Sequence, residues 1–175
     1  TCCNHPNSNS NLHQKKKKMT KELKQVTMYT SYWFNPKFNG LGYYGKGFTT
    51  AYIVQISVSV PAGVNVTNHI DYKLDEAIPD WTTVDKYKKG IYSEGDYYAE
   101  YIKKLFDNKK TIAEKIVDIY RKANGRMIVF FCWEPPEKFC HRHLFAEWAT
   151  KQFRNLTIKE IRKLLCGIIQ WRNFL

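Results

Sequence analysis

The sequence predicts an α/β domain, a single compact unit with a mostly parallel sheet flanked by helices, from three features of its 175 residues. Residues 51 to 60, Ala-Tyr-Ile-Val-Gln-Ile-Ser-Val-Ser-Val, form a near-continuous apolar run of the kind buried on both faces of a parallel sheet. Helix, strand and helix patterns follow in close succession from Thr111 to Phe153, as layered α/β chains require. Tyrosine and phenylalanine number 22 together, enough aromatic bulk for one core in a chain of one-domain length.

The elements follow in order. Residues 1 to 18 are rich in Asn, Ser, His and Lys with almost no apolar side chain, so a disordered tail is expected before an α/β domain spanning 19 to 161. Val26 to Trp33 is β-branched and aromatic, a first strand. The loop after it carries Gly40, Gly42, Gly45 and Gly47 but lacks the spacing and the Gly-Lys-Ser/Thr ending of a phosphate loop. The second strand is the 51 to 60 run, stopped by Pro61 and Gly63, with Ser57 and Ser59 alternating to one side near its carboxyl end. Residues 64 to 92 mix Pro79, Trp81 and several lysines without periodicity and read as a surface excursion. Gly95 to Asp107 is helical, with Tyr97, Tyr98, Tyr101, Ile102, Leu105 and Phe106 at three- and four-residue steps. The next helix opens on a Thr111/Glu114 capping box, shows an apolar face of Ile112, Ile116, Val117, Ile119 and Tyr120, and stops at Asn124-Gly125. Arg126 to Trp133 is a strand, Pro135 and Pro136 bar any ladder or helix directly after it, and Cys140 to Phe153 restores helical spacing. Leu156 to Ile161 alternates like a last strand, and residues 162 to 175 form a basic, apolar extension expected to be helical.

Charge and cysteine usage narrow the function classes. Of the formal net charge of +12, Lys15 to Lys18 with Arg162, Lys163 and Arg172 supply seven, so the basic excess is largely terminal. What remains favours phosphate-bearing partners without choosing among them. No apolar run approaches the ~20 residues of a membrane span, and no apolar leader follows a basic start. Cys2, Cys3, Cys132, Cys140 and Cys166 are odd in number and unevenly spread, which fits reduced thiols. A cytoplasmic protein with no membrane contact is therefore expected.

The polar residues gather where the Arg126 to Trp133 strand turns into the next helix. Cys132 and Glu134 fall at or just past the strand's carboxyl end, and Cys140, His141 and Arg142 fall in the helix's first turn, where free N–H groups and the macrodipole favour anions and thiolates. Cys140 is thereby a candidate nucleophile or proton donor, and Glu134 and His141 an acid/base pair. Arg142 either grips an anion or closes a salt bridge. Cys132 either faces the site or is an inert core thiol. A zinc site on Cys132, Cys140, His141 and His143 is set aside because adjacent Cys140 and His141 do not converge easily from a helix and no Cys-x-x-Cys pair is present. No metal and no cofactor are expected. A phosphatase-type loop would need an arginine where Lys138 stands, and no Gly-x-Ser-x-Gly elbow occurs.

Phe130-Phe-Cys-Trp-Glu-Pro-Pro-Glu-Lys-Phe-Cys-His-Arg-His143 resembles the carboxyl-terminal signature of the domain of unknown function 488 family, a hydrophobic strand ending in Cys-x-Glu followed by Cys-His-Arg at a helix start. Cys132, Glu134, Cys140, His141 and Arg142 match it, and Met28 to Tyr32 and Tyr97 to Leu105 resemble other parts of the family. Where members commonly carry an arginine after the second strand, this chain continues Ser57-Val-Ser-Val-Pro61. The resemblance implies a compact α/β domain with a cleft at the signature loop, and no settled reaction.

The expectation is thus an enzyme taking a small anionic, nucleotide-like ligand at this corner, with Ser31, Tyr32 and Ser57 as the opposite wall. Two rivals stand beside it. One is a non-catalytic nucleic-acid or nucleotide binder using Arg142, Lys86, Lys88, Lys89 and the tyrosines, and the other is a viral or mobile-element adaptor.

Overall fold

A computed structural model describes residues 25–35, 51–62 and 70–161. Five strands form one sheet: β1 (Val26–Tyr32), β2 (Ala51–Gln55), β3 (Tyr72–Lys73), β4 (Met127–Cys132) and β5 (Leu156–Glu160), in the order β3-β2-β4-β1-β5. Every pairing is parallel. Central β4 is buried from Ile128 to Cys132, as its unbroken apolar run requires. Its register sets Tyr32 beside Cys132 and Gln55 beside Phe131, so β1, β2 and β4 end at one level.

Four α-helices are described: α1 (Trp81–Lys88), α2 (Glu94–Asp107), α3 (Lys109–Ala123) and α4 (His141–Gln152). The two-residue alternation of the strands turns Met28, Tyr52, Val54, Ile128, Phe130 and Ile158 toward Tyr101, Leu105, Ile112, Ile116, Ile119 and Phe145 of the helices in one core cluster. Each such side chain contributes about 1.5–3 kcal/mol when fully buried. Ala51, Ile53, Val129 and Phe131 face the other way and pack with Trp33 in a second cluster. No described helix is long and apolar enough to cross a membrane.

Three local expectations are corrected. The second strand ends at Gln55, because Ser57 donates its hydroxyl proton to the Ser59 carbonyl (2.8 Å) and Gln55 binds the Ser57 carbonyl (2.8 Å), local bonds that replace the ladder. The stretch read as featureless holds β3, a short 3₁₀ turn at Asp75–Ala77 and α1. Thr111 caps nothing, since α3 starts at Lys109 directly after Asn108, the residue that also ends α2. The capping box lies instead at the start of α2, where Ser93 Oγ accepts from the Asp96 N–H (3.1 Å) and Asp96 accepts from the Ser93 N–H (2.9 Å). The expected stop after α3 is present, Asn124 and Gly125 having φ of 48° and 82°. The predicted tail 1–18, the extension 162–175 and the glycine loop lie outside the described residues.

Candidate functional site

The site is built where β4 ends. Cys132 is its last residue, the loop from Trp133 to Phe139 is stiffened by Pro135 and Pro136, and Cys140 is the N-cap of α4 with an extended backbone (φ −152°, ψ 137°). That extended residue brings the two sulfurs to 3.2 Å and turns the next side chain, His141, onto the same spot, with Nε2 at 3.3 Å and Nδ1 at 3.7 Å from Cys132 Sγ. The Ile56 carbonyl sits 2.7 Å from Nε2. A carbonyl only accepts, so Nε2 carries the proton and Nδ1 holds the lone pair, near the Tyr97 hydroxyl at 3.4 Å. The spacing argument against convergence of Cys140 and His141 placed both within the helix; the cap position removes that constraint.

The electrostatics separate the two thiols. Cys140 is held below the ordinary thiol range by its hydrogen bond with Cys132, against the effect of burial, with help from the Arg142 charge and from the Arg142 N–H. Burial pushes Cys132 the other way, reinforced by its bond to Cys140. Burial also lowers His141, keeping the imidazole neutral, and raises Tyr97 and Tyr101, which stay protonated.

Arg142, expected on the substrate, takes the other of the two parts open to it, a salt bridge inside the fold. It is fully buried, gives Nε and Nη2 to Glu160 Oε1 (3.0 and 2.7 Å) and Nη1 to the Glu134 carbonyl, and lies 6.0 Å from the Tyr32 ring centroid. His143 pairs with the other oxygen of Glu160 at 2.9 Å. Arg142 thus pins the signature loop to β5. Ser31 and Tyr32 are also absent from the opposite wall. Ser31 is buried on the second face of the sheet, accepting from Asn35 Nδ2 (2.9 Å), because strand alternation turns it away from Cys132.

Above the sulfurs opens a cleft of about 650 Å³, with Cys132, Cys140 and His141 among its lining residues. Glu134 and Ser57, both foreseen, border it too, although the Ser57 hydroxyl is occupied by Trp33 Nε1 (3.0 Å) and the Ser59 carbonyl. Its walls are aromatic: Trp81 and Tyr87 from α1, Tyr97 from α2, and Trp133 and Phe139 from the loop, with Lys88 and Lys138 among them. Sequence reasoning had Lys88 and the tyrosines only in its rival, nucleic-acid-binding reading and missed Trp81, Trp133 and Phe139 as part of one wall. The signal existed, since Trp81, Val84, Tyr87 and Lys88 recur at helical steps, but only one α1 residue, Thr83, is buried, so the segment lacks a core stripe. Comparison with family models, curated proteins and solved structures returned no match.

Proposed function

We propose that this chain is an enzyme that holds a small anionic substrate bearing a flat aromatic group, of the nucleotide type, and reacts it at the sulfur–imidazole floor of the cleft. The observation that carries the proposal is the meeting of Cys132, Cys140 and His141 at the base of an aromatic-walled, lysine-bearing opening. Trp81 and Trp133, 57% and 38% exposed, offer stacking faces, and Lys88 and Lys138 offer the cations foreseen from Arg142. Glu134 is the carboxylate at hand for proton transfer. The resemblance of Cys132, Glu134, Cys140, His141 and Arg142 to the Cys-x-Glu and Cys-His-Arg signature is the reason for reading the chain beside the domain of unknown function 488 proteins.

The test is a thermal-shift screen of bases, nucleosides and nucleotides followed by product analysis. A nucleotide that stabilises the protein, binds about 5- to 150-fold more weakly to Trp81→Ala or Trp133→Ala, and is converted by wild type but not by Cys140→Ser is the expected result. Absence of any stabilising member overturns the proposal. A second reading, capture of single-stranded nucleic acid, draws on Lys88 over Trp81 (5.8 Å) at the same opening and on the exposed pair of Lys86 over Tyr92 (4.7 Å). Steeply salt-dependent oligonucleotide binding that survives Cys140→Ser, with no conversion of nucleotides, would select it.

A further inference from the structure

We infer that Cys132, Cys140 and His141 bind a divalent metal ion of the zinc class, with a fourth coordination position open to the cleft. The ligand atoms of these three buried residues lie within 4.8 Å of one another. They come from three backbone environments, a strand end, a helix cap and a first helical turn, so the set is held by the fold and not by one flexible loop.

The imidazole is oriented as a ligand. With Nε2–H on the Ile56 carbonyl at 2.7 Å, Nδ1 carries the lone pair, 3.4 Å from the Tyr97 hydroxyl and 3.7 Å from the Cys132 sulfur; that sulfur lies nearer Nε2 (3.3 Å), so a small turn of the ring accompanies coordination, and the Ile56 carbonyl is the second partner by which metal-binding histidines are held. Two sulfurs and a nitrogen select a thiophilic ion over magnesium or calcium, which take oxygen. Two thiolates on one tetrahedral zinc stand roughly 3.7 Å apart, given Zn–S of about 2.3 Å. The observed 3.2 Å therefore calls for a spread of about half an ångström, which rotation about the two Cα–Cβ bonds supplies. No fourth Cys, His, Asp or Glu joins the group among the described residues, and all three ligands border the opening, the pattern of catalytic and not of structural zinc.

The ion's catalytic role rests on the enzyme reading above; its binding does not. In that role the class of reaction is hydrolysis. Water on the ion passes a proton to Glu134, its oxygen bonds to the substrate's electrophilic atom, the bond to the leaving group breaks, and that group departs with the proton from Glu134.

The experiment uses the full chain, expressed with zinc and purified under reductant without chelator. Elemental analysis is expected to find one zinc per chain. Cobalt exchanged into the chelated protein is expected to show thiolate-to-metal charge transfer with the visible bands of a tetrahedral site. Both signals should vanish in Cys132→Ser and Cys140→Ser, cobalt should bind at least 10-fold more weakly to His141→Ala, and the triple variant Cys2→Ser, Cys3→Ser, Cys166→Ser should keep the spectrum. Should the site variants fail to fold, alkylation of wild type decides: zinc is expected to protect Cys132 and Cys140 from iodoacetamide and chelation to release them. Reduced wild type without charge transfer, a spectrum that persists without both cysteines, or alkylation indifferent to zinc overturns the site. Nucleotide binding by a protein that takes up no metal would sink the ion and spare the cleft reading. A bound ion with no nucleotide ligand would do the reverse.

Discussion

Arg142 shows how one residue's role is set by what surrounds it. Its charge is buried and satisfied by Glu160 and the Glu134 carbonyl, so removing it strands a carboxylate of low exposure. Arg142→Ala is expected to cost about 3–5 kcal/mol in urea denaturation and to loosen the signature loop, seen as faster proteolysis there. Glu160 itself is pulled two ways: burial raises it, while its bonds from His143 and Arg142 and their charges outweigh burial and hold it below its ordinary value of 4.5. A depressed native carboxylate contributes stability that is complete above its unfolded value and is lost as pH falls through the lowered native one. Stability followed by urea midpoint should therefore drop with acid below pH about 4.5, and Glu160→Gln should lower the neutral-pH midpoint while flattening that drop. A variant with the wild-type acid profile would assign the drop to another group. The carboxylate and the guanidinium were each visible in the sequence. Their pairing was not, because 18 positions separate them and parallel pairing of β5 with β1 brings them together.

At the scale of elements, helix ends discriminate between pattern and structure. Ser93 and Asp96 form a reciprocal cap, whereas Thr111 with Glu114 has the letters of a cap but already lies inside α3. Ser93→Ala should cost about 1 kcal/mol of global stability, and Thr111→Ala, at an exposed position in the first turn of α3, should be neutral or slightly stabilising. Equal losses in chemical denaturation would contradict this assignment. At the far end, Gly125 adopts φ of 82° with open space where a Cβ would stand, so Gly125→Ala meets backbone strain alone, about 1–2 kcal/mol. The helices α2 to α4 and strands β1, β4 and β5 were legible because each has a clean period or a clear stop. The element α1 was not: it covers the cleft and not the core, so its apolar residues lacked the stripe that burial imposes.

For the molecule as a whole, β4 is the member on which both core clusters converge, sending Ile128 and Phe130 to one side and Val129 and Phe131 to the other. Phe130 packs against Phe145 of α4 with ring centroids 5.2 Å apart. Phe130→Ala is therefore expected to destabilise by about 3–5 kcal/mol while leaving the slope of the urea transition unchanged, because helices and sheet unfold as one unit. A biphasic transition would show that they do not. The same central position explains the site. A buried strand flanked by β2 and β1 presents its carboxyl end at the middle of the sheet, and there Cys132 meets the cap of α4 and the Ile56 carbonyl beyond β2.

By itself the sequence determined the local elements and the chemical set. Apolar runs of strand length, three- and four-residue helical steps, Asn124-Gly125 and the double proline each act through the residues beside them, and the Cys-x-Glu and Cys-His-Arg letters mark the corner. Tertiary structure alone decided which of those groups share a space. Whether Arg142 binds outward or inward, whether Cys140 and His141 converge, and which aromatics wall the opening depend on parallel register and on a single extended cap residue. Those are relations between distant segments, fixed by burial of the whole core and invisible to any window of neighbouring residues.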